Sequence, residues 1–246
     1  MKAMVLAAGL GTRLRPLTDT RPKALVELNG RTLLEINLTH LREFGVTDVI
    51  VNVHHFADMV AEYLAAKQNF GMRIAISRED ELLLDTGGGL KKAAWFFQKD
   101  ASDEPFLLHN VDVVSDIDLR NVMEFHRSQQ ALATLAVQQR PSSRQLLFDD
   151  SGLLCGRRFE KEQRTELARH AEPLQTLAFC GIHFLSPRLL NMMTEDGVFS
   201  IIKTYLRLAA REERILAFRA DGSYWRDLGA IESLQQAAQD LQRGVK

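Results

Sequence analysis

The chain has 246 residues and a formal net charge of −1; hydrophobic residues make up 46% of it and charged residues 26%. This composition predicts a globular protein with a sizeable core, and the balanced charge argues against nucleic acid or a membrane surface as the partner. The two cysteines, Cys155 and Cys180, lack metal-ligand spacing and indicate reduced thiols, and no run reaches the roughly 20 apolar residues that cross a bilayer, so we expect a cytoplasmic protein.

Short apolar runs alternate with helical periodicity through the first half of the chain. Strands are predicted at residues 3–6, 49–53, 73–76, 106–109 and 132–137. Between them, apolar residues recur at helical spacing. The corresponding predicted helices are 33–44, 56–68, 90–98 and 119–127. This alternation predicts an α/β fold with a Rossmann-like, mostly parallel sheet and helices on both faces.

After Arg140 the pattern changes to that of an α+β continuation. "RPSSRQLLFDDSGLLCG" indicates a loop, a short strand, an Asp-Ser-Gly turn and a return strand, and "LQTLAFCGIHFL" is the next strong strand. Helices are then predicted at 189–193, 201–208 and 231–241, and extended segments at 215–218 and 223–225. The sequence contains no internal repeat or linker, so we expect a single domain over residues 1–246.

The segment after the first predicted strand combines two glycines, Gly9 and Gly11, with a cluster of cations. Backbone N–H groups of such a loop can approach an anion closely. The P-loop pattern G-x-x-x-x-G-K-[ST] is absent, and the dinucleotide pattern G-x-G-x-x-G fails at Leu14. Several cations on one loop favour a triphosphate, since Arg13 can bind phosphate oxygens bidentately and Lys23 adds a mobile charge.

This segment resembles a known family. "LAAGLGTRLRPLTDTRPK", residues 6–23, is similar to the L-x-A-G-x-G-T-R-L-x-P-L-T-x-x-x-P-K stretch of the sugar-phosphate nucleotidylyltransferases. The length of the match makes it specific; the alternative, solvated loop charges, fits Arg15 and Arg21 best. The short chain and its T-G-G-G stretch are most similar to the muramate-, mannose- and heptose-1-phosphate members. The resemblance implies that an NTP, with UTP or GTP favoured, and a sugar 1-phosphate give an NDP-sugar and pyrophosphate.

The resemblance also implies roles for residues of the loop. Arg13 would hold the departing pyrophosphate, and Lys23 would act near the α-phosphate and the incoming phosphate; these two are the predicted catalytic residues. The residues expected to bind the nucleotide here are Ala8, Gly9, Gly11 and Thr12. A nucleotide-binding half is expected over about residues 1–140 and a sugar-phosphate half over about 141–246.

The nucleophile of such a reaction is a phosphate oxygen that is mostly dianionic at neutral pH, because the second pKa of a phosphate monoester is about 6. A general base is therefore not required, and the chemistry calls for cations and a divalent metal held by carboxylates. Asp112 and Asp227 match the family's two metal carboxylates, so Mg²⁺ is the expected cofactor. A turn carboxylate at Asp112 and a helix cap at Asp227 are the alternatives. Val111 replaces the family's glycine, and "GAIE" replaces its G-T-P-E.

"DELLLDTGGGLKKA" is predicted to be the third nucleotide element. Its three consecutive glycines predict a backbone that lies flat against a base, ahead of a helix. In the family, an acidic or amide residue shortly before T-G-x-x reads the base edge. Glu81 and Asp85 both fit that part, with Thr86 and Gly87 contacting base and ribose. Without the resemblance, a plain helix-entry loop explains the glycines equally well.

Fewer residues of the sequence point to the site of the second substrate than to the nucleotide site. Arg140 and Arg144 lie on a predicted loop after a strand and are candidates for the sugar's phosphate, although solvated loop charges are as good an account. Glu160 belongs to "RFEKE", which is similar to the family's F-x-E-K-P but lacks the proline. His54, His55 and His109 are expected to be packing or strand-end residues.

Two functional alternatives share the same core. A phosphocholine-type cytidylyltransferase requires acidic and aromatic residues for an ammonium group in the rear half, and the sequence shows no convincing cluster. A non-catalytic regulatory subunit that binds nucleotide-sugars would keep the glycine loop but lose Asp112, Asp227 or Lys23, and all three are present. Monomer and homo-oligomer are left equally open.

Overall fold

The strands follow the predicted alternation, with bounds that differ from the prediction by one or two residues. The computed structural model describes residues 1–99 and 102–243. Its strands are β1 (Lys2–Leu6), β2 (Glu27–Leu28), β3 (Arg31–Thr32), β4 (Asp48–Val53), β5 (Arg73–Arg78), β6 (Phe106–Asn110), β7 (Val113–Ser115), β8 (Ala133–Gln138), β9 (Arg144–Phe148), β10 (Leu154–Phe159), β11 (Arg164–Leu167), β12 (Gln175–Leu185), β13 (Ile215–Arg219) and β14 (Trp225–Asp227).

The helices also match the predicted segments, except around the glycine run. They are α1 (Leu33–Glu43), α2 (Ala57–Ala66), α3 (Asp85–Lys92), α4 (Ala94–Gln98), α5 (Leu119–Ser128), α6 (Arg188–Asn191), α7 (Ile201–Ala209) and α8 (Ile231–Gln242). Short 3₁₀ helices lie at Thr12–Leu14, Lys23–Leu25 and Gln68–Gly71. Within the described ranges, every helix is too short or too polar to span a bilayer.

Ten strands of the described residues form one sheet in the order β11-β10-β9-β12-β6-β1-β4-β5, with β8 on β12 and β13 on β8. The front strands β6, β1, β4 and β5 are parallel neighbours. Strand β12 lies antiparallel to β6, and β9, β10 and β11 continue the antiparallel part. The predicted α/β class, a parallel sheet with an α+β continuation, is confirmed.

Helices cover both faces of this sheet because buried side chains alternate along its strands. In β1, Ala3 and Val5 belong to the core that also contains residues of α1, α2, α5 and α8. Met4 points to the opposite face and belongs to the core of α3, α4, α6 and α7. Both cysteines are buried and free, as expected.

The strand order reverses at β1, which has β4 on one side and β6 on the other. In open α/β sheets, ligands bind outside the carboxyl ends of the strands at this switch point. The glycine loop leaves the end of β1, and Asp112 follows the end of β6 by two residues. The fold therefore places both predicted elements at one edge of the sheet.

Candidate active site

The cavity at the switch point, here called the front cavity, has a volume of about 370 Å³. Its walls come from the ends of β1, β4 and β6, from the segment entering α3, and from one residue of the rear half, Val198. The predicted site residues on its lining are Ala8, Gly9, Lys23, Asp85, Thr86 and Asp112. Leu83 and the exposed Val198 add apolar side chains to the lining; the sequence singled out neither.

A second cavity of about 690 Å³, here called the rear cavity, lies between the antiparallel strands and the front half. Predicted residues on its lining are Arg13, Thr86, Arg140, Arg144 and Asp227. Arg157 and Arg158 of β10 line it as well, so its walls are rich in guanidinium groups. Because Asp85, Thr86 and Asn110 line both cavities, the two are neighbours and each draws on both halves of the chain.

The two aspartates lie together at the boundary between the cavities, although 115 positions separate them along the chain. Strand β14 pairs antiparallel with β7 and sets Asp227 opposite Val113. The backbone N–H of Leu228 then donates to the carbonyl oxygen of Asp112 at 2.7 Å. Asp112 thus lines the front cavity and Asp227 the rear cavity, although their backbone segments are hydrogen-bonded neighbours.

Each aspartate has a cation from the glycine loop beside it. The ammonium group of Lys23 donates to Oδ2 of Asp112, and both side chains are largely buried. The guanidinium of Arg13 lies 4.0 Å from Oδ1 of Asp227, with both side chains about half exposed or more. The alternative of solvated loop charges, open for Arg13, Arg15 and Arg21, fits the exposure of Arg15, whose side chain is 68% exposed and pairs with Asp19 of the same loop.

Gly229 marks the point where these groups meet. A Cβ built at Gly229 would lie 2.6 Å from the Arg13 guanidinium, 2.7 Å from Asp227 Oδ1 and 3.2 Å from Lys23 Nζ. The backbone N–H of Gly229 donates to Asp227 Oδ1 at 2.6 Å. A side chain at this position would have to displace the ends of the Arg13, Asp227 and Lys23 side chains from one another.

The donor set of this centre suits a small hard cation. Across residues 1–99 and 102–243, no group of three or more His, Cys, Asp or Glu side chains is placed to hold a metal ion. Asp112 and Asp227 would therefore be the protein's share of the ligands, with phosphate oxygens and water completing the set. Mg²⁺ at phosphate sites is bound in this way, through one or two carboxylates.

The remainder of the glycine loop is built to turn rather than to line the cavity. Gly11 has φ 65°, in the left-handed region, and its carbonyl oxygen accepts from the Thr18 hydroxyl at 2.8 Å. A Cβ at Gly11 would meet Thr18 at 2.8 Å and Lys23 at 3.1 Å. Gly11 and the exposed Thr12 lie outside the front-cavity lining, whereas Ala8 and Gly9 are part of it. The expected nucleotide contacts of Gly11 and Thr12 stay predictions.

The three consecutive glycines are not a flat loop; that prediction is wrong. They lie inside α3, because the segment before α7 packs against this face of the helix. The N–H groups of Gly87 and Gly88 donate to the Phe199 carbonyl oxygen at 2.9 and 3.2 Å, and a Cβ on Gly87 would overlap the Phe199 ring. The predicted nucleotide contact of Gly87 is therefore replaced by helix packing.

Of the two candidates for the base edge, Asp85 lines both cavities and Glu81 lines neither. Both residues are exposed. Asp85 has φ 59°, and its Oδ1 accepts from the N–H of Thr86 at 2.6 Å. The hydroxyl of Thr86 accepts from the N–H of Ile201 at 3.0 Å, which joins α3 to α7.

Arg140 is a structured wall of the rear cavity and not a solvated loop charge. Its guanidinium stacks 3.6 Å from the ring centre of Trp225 and donates to the Phe179 carbonyl oxygen at 2.8 Å. Burial lowers the pKa of Arg140 from its ordinary value. Arg144 lines the same cavity but is exposed.

Glu160 is not itself on the lining of the rear cavity but contacts a residue that is. It lies directly after β10 and pairs with Arg158 at 2.8 Å, and Arg158 lines the cavity. The expected contact of Glu160 with the sugar phosphate therefore stays a prediction.

His54, His55 and His109 lie at or directly after the ends of β4 and β6, in keeping with the expected packing or strand-end roles. His109 is fully enclosed at the end of β6, and burial lowers its pKa to about 4, so the ring is neutral at pH 7. Its Nδ1 lies 2.8 Å from the Asn110 carbonyl oxygen. His54 Nδ1 lies 2.5 Å from the Glu79 carbonyl oxygen, and His55 is exposed.

Three matches to curated proteins bear on this site. The N-acetylmuramate alpha-1-phosphate uridylyltransferase of Caulobacter vibrioides is 33% identical, over 92% of this chain and 91% of that protein. A UTP–glucose-1-phosphate uridylyltransferase of Synechocystis is 32% identical over 100% of this chain, and a mannose-1-phosphate guanyltransferase of Yarrowia lipolytica is 32% identical over 93%. The chain spans 65% and 61% of the length of these last two proteins, less than two thirds of either.

Solved structures share the fold. A UDP-glucose pyrophosphorylase complexed with UDP-glucose aligns with TM-score 0.78 and 17% identity, over 99% of this chain and 98% of that one. HddC from Yersinia pseudotuberculosis complexed with GMP-PN aligns with TM-score 0.74 and 20% identity, over 98% and 99%. The family model for nucleotidyl transferases matches residues 2–244. That match contains the glycine loop and both aspartates, and the similar curated proteins are sugar-1-phosphate uridylyl- and guanylyltransferases. The chain therefore belongs to the nucleotidyl transferase family.

Proposed function

We propose that this protein transfers a nucleotidyl group from UTP or GTP to a sugar 1-phosphate, giving an NDP-sugar and pyrophosphate. One observation carries the proposal: Lys23 and Arg13 meet Asp112 and Asp227 at the boundary between two cavities. One cavity is bounded by the glycine loop and the other by arginines. A transfer between two phosphate-bearing substrates needs such a boundary, where the phosphate of the sugar can reach the α-phosphorus of the nucleotide.

The nucleotide is assigned to the front cavity. Ala8 and Gly9 present backbone at the end of β1, where N–H groups can approach phosphate oxygens. Asp85 and Thr86 are assigned to the base and ribose end, since they line the same cavity from the entry of α3. Arg13, at the opening toward the rear cavity, is assigned to the departing pyrophosphate.

The sugar 1-phosphate is assigned to the rear cavity. Arg140, held by Trp225 and Phe179, and the exposed Arg144 are the proposed phosphate ligands. The guanidinium-rich lining supports this assignment and argues against an ammonium substrate of the phosphocholine type. The ring of Trp225, which an ammonium group would use, is covered by the guanidinium of Arg140.

The chemistry needs charge stabilisation more than proton transfer. The attacking phosphate oxygen is already anionic at neutral pH. The residues must bring two polyanions together in line and stabilise negative charge on the α-phosphoryl oxygens and the leaving pyrophosphate. Lys23 is placed to do this at the α-phosphate, and its pairing with Asp112 holds its ammonium group at the cavity wall. This role is separate from that of Arg13 on the pyrophosphate.

Asp112 and Asp227 are assigned to a divalent ion, Mg²⁺ by the chemistry of their oxygens. Such an ion would supply neutralisation of phosphate charge. The two carboxylates are held in place by other groups of the chain: Asp112 by Lys23 and Asp227 by the N–H of Gly229.

A pyrophosphate-release screen tests the proposal. The four NTPs and dTTP are each combined with a panel of sugar 1-phosphates in the presence of magnesium. We expect turnover with UTP or GTP and at least one sugar 1-phosphate, and loss of that turnover in Asp112→Asn. If no pair gives pyrophosphate, the proposed reaction is wrong and the alternative of a nucleotide-sugar-binding regulatory subunit is favoured.

A further inference from the structure

Behind the front cavity runs a row of buried polar groups to which the reaction assigns no role. Asn52 of β4 is 3% exposed, and Glu79, which follows β5, is 1% exposed. Asn52 Oδ1 accepts from the N–H of Ala7 at 2.7 Å, and Asn52 Nδ2 donates to Glu79 Oε1 at 2.7 Å. The second oxygen of Glu79 accepts from the N–H of Leu84 at 2.8 Å.

This row joins three walls of the front cavity. Ala7 is the residue before Ala8, where the glycine loop begins to line the cavity. Asn52 lines the cavity itself, and Leu84 precedes Asp85 at the entry of α3. The distance between the glycine loop and the α3 entry is therefore set through Asn52 and Glu79.

The direction of every hydrogen bond in the row is fixed by its two ends. The N–H groups of Ala7 and Leu84 can act as donors only. Asn52 must then turn its oxygen to Ala7 and its NH₂ to Glu79, and Glu79 must accept at both oxygens, as a carboxylate does. A buried row of this kind is strong when complete and sensitive to one wrong partner.

Helix α3 encloses the same pair. A Cβ on Gly89 would lie 2.8 Å from both Asn52 Nδ2 and Glu79 Oε1. The helix therefore packs its bare backbone against the Asn52–Glu79 hydrogen bond and excludes water from it. The carbonyl oxygen of Glu79 is also engaged, by His54 Nδ1 at 2.5 Å.

We propose that Glu79 is a positioning residue of the nucleotide site. It orients the Asn52 carboxamide and so holds the glycine loop and the α3 entry at the spacing that the nucleotide requires. The inference rests on the proposed function, which assigns the nucleotide to the front cavity. It predicts that disturbing the row changes nucleotide affinity while leaving the affinity for the sugar 1-phosphate in place.

Glu79→Gln is the isosteric test. A glutamine offers one acceptor and one donor, so two donors must face each other somewhere between Ala7 and Leu84. We expect the KM for UTP or GTP to rise roughly tenfold or more, from the loss of one buried hydrogen bond and the new donor pair, and the KM for the sugar 1-phosphate to stay within about threefold. Calorimetric titration with UTP and GTP measures the same loss without turnover.

A polarity exchange provides the rescue. In the double variant Asn52→Asp/Glu79→Gln, the new carboxylate accepts from Ala7 and from the new amide, and the amide oxygen accepts from Leu84. All three hydrogen bonds are restored. In the bond between residues 52 and 79, position 79 is now the donor and position 52 the acceptor. Asn52→Asp alone sets two carboxylates against each other. We expect both single variants to be impaired and the double variant to recover nucleotide affinity to within about threefold of wild type.

Glu35→Gln is the matched control. Glu35 is a partly buried carboxylate of α1 that accepts from the Tyr63 hydroxyl at 2.7 Å and lies outside the described lining of both cavities. We expect it to lower the melting temperature with no change in nucleotide affinity. If Glu79→Gln behaves like this control, or if the double variant is no better than the single ones, the positioning role is wrong.

Three further outcomes are decisive. Should Glu79→Gln fail to fold, the double variant decides: recovered nucleotide affinity supports the role, and an unfolded or non-binding double variant refutes it. Nucleotide binding that responds to these variants, without transfer to any sugar 1-phosphate, refutes the proposed function and supports the positioning role. Turnover that none of the variants affects supports the proposed function and refutes the positioning role.

Discussion

The ammonium group of Lys23 donates to the carboxylate of Asp112, and the two side chains are only 12% and 15% exposed. The two buried charges stabilise each other's position, because separating them would leave each charge buried without a partner. The pairing also joins the glycine loop to the end of β6 across the front cavity. Loop position and carboxylate position are therefore coupled before substrates arrive.

Lys23→Ala tests the catalytic part of that coupling. We expect kcat to fall by roughly 10²–10³, as for the loss of one preorganised group facing developing charge, with the KM for the nucleotide within about threefold. Steady-state kinetics separates the two effects. Lys67→Ala, an exposed lysine paired with Glu35, is the control and should keep wild-type kcat. A rise in KM with unchanged kcat would assign Lys23 to binding alone.

The aspartates make a second prediction, in which the two residues act as one unit. Asp112→Asn and Asp227→Asn should each lower kcat by roughly 10³ or more, and the double variant should be little worse than either, because groups that serve one ion are not additive. A magnesium titration of the single variants should show a higher requirement. Asp150→Asn, in an exposed turn, serves as the control. Additive losses would indicate two independent roles.

Sequence and structure agree best where one motif occupies one segment. The stretch 6–23 contains the loop and both cations, so its position after β1 could be predicted. The proximity of Asp112 and Asp227 comes from the pairing of β7 with β14, which no spacing within the chain reveals. It was expected through the resemblance alone.

The misjudged elements share a physical cause, namely partners that are remote in the chain. Three glycines are compatible with a loop or a helix. Phe199, more than 100 positions away, decides the matter by packing against Gly87. In the sequence, Glu79 is an ordinary charged residue after a predicted strand. Its carboxylate can be buried because Asn52 and the N–H of Leu84, on two other segments, donate hydrogen bonds to it.

The rear cavity gives a third prediction, on the second substrate. Arg140→Ala should raise the KM for the sugar 1-phosphate by roughly tenfold or more, because a charge-assisted hydrogen bond is worth about 1.5–3 kcal/mol, and should leave the KM for the nucleotide unchanged. Arg188→Ala is the matched variant; its guanidinium pairs with Glu213 outside the described lining of both cavities, so its kinetics should remain those of wild type. Equal effects of the two variants would place the sugar phosphate elsewhere.

A fourth prediction concerns α3. A methyl group on Gly87 would overlap the Phe199 ring, and the cost of such overpacking is about 1–3 kcal/mol in the free energy of unfolding. Gly87→Ala should lower the urea midpoint accordingly. Gly222→Ala is the control, since its Cβ would meet no described atom within 4 Å and its φ is not positive. Equal midpoints would show that the Phe199 segment moves aside freely.

The last prediction follows from Glu195, which anchors the segment that carries Val198. Burial by itself would raise the pKa of Glu195, but hydrogen bonds, chiefly from the Arg207 guanidinium at 2.7 and 3.0 Å, outweigh it and lower the pKa to about 2. The folded pKa thus lies below the unfolded one, near 4.5. The ion pair contributes its full stability above about pH 4.5, and the contribution is lost as the pH falls toward about 2.

Glu195→Gln removes that ionisation and isolates its share of the acid response. At neutral pH the variant should have the lower urea midpoint, because it leaves the Arg207 guanidinium without its carboxylate. As the pH falls from about 5 toward about 2, the difference between wild type and variant should shrink, since protonation of Glu195 removes the same charge from the wild type. Measuring the midpoint difference at each pH cancels the other titrating carboxylates. A difference that is constant across this range would mean that the pKa of Glu195 is the same in the folded and the unfolded protein.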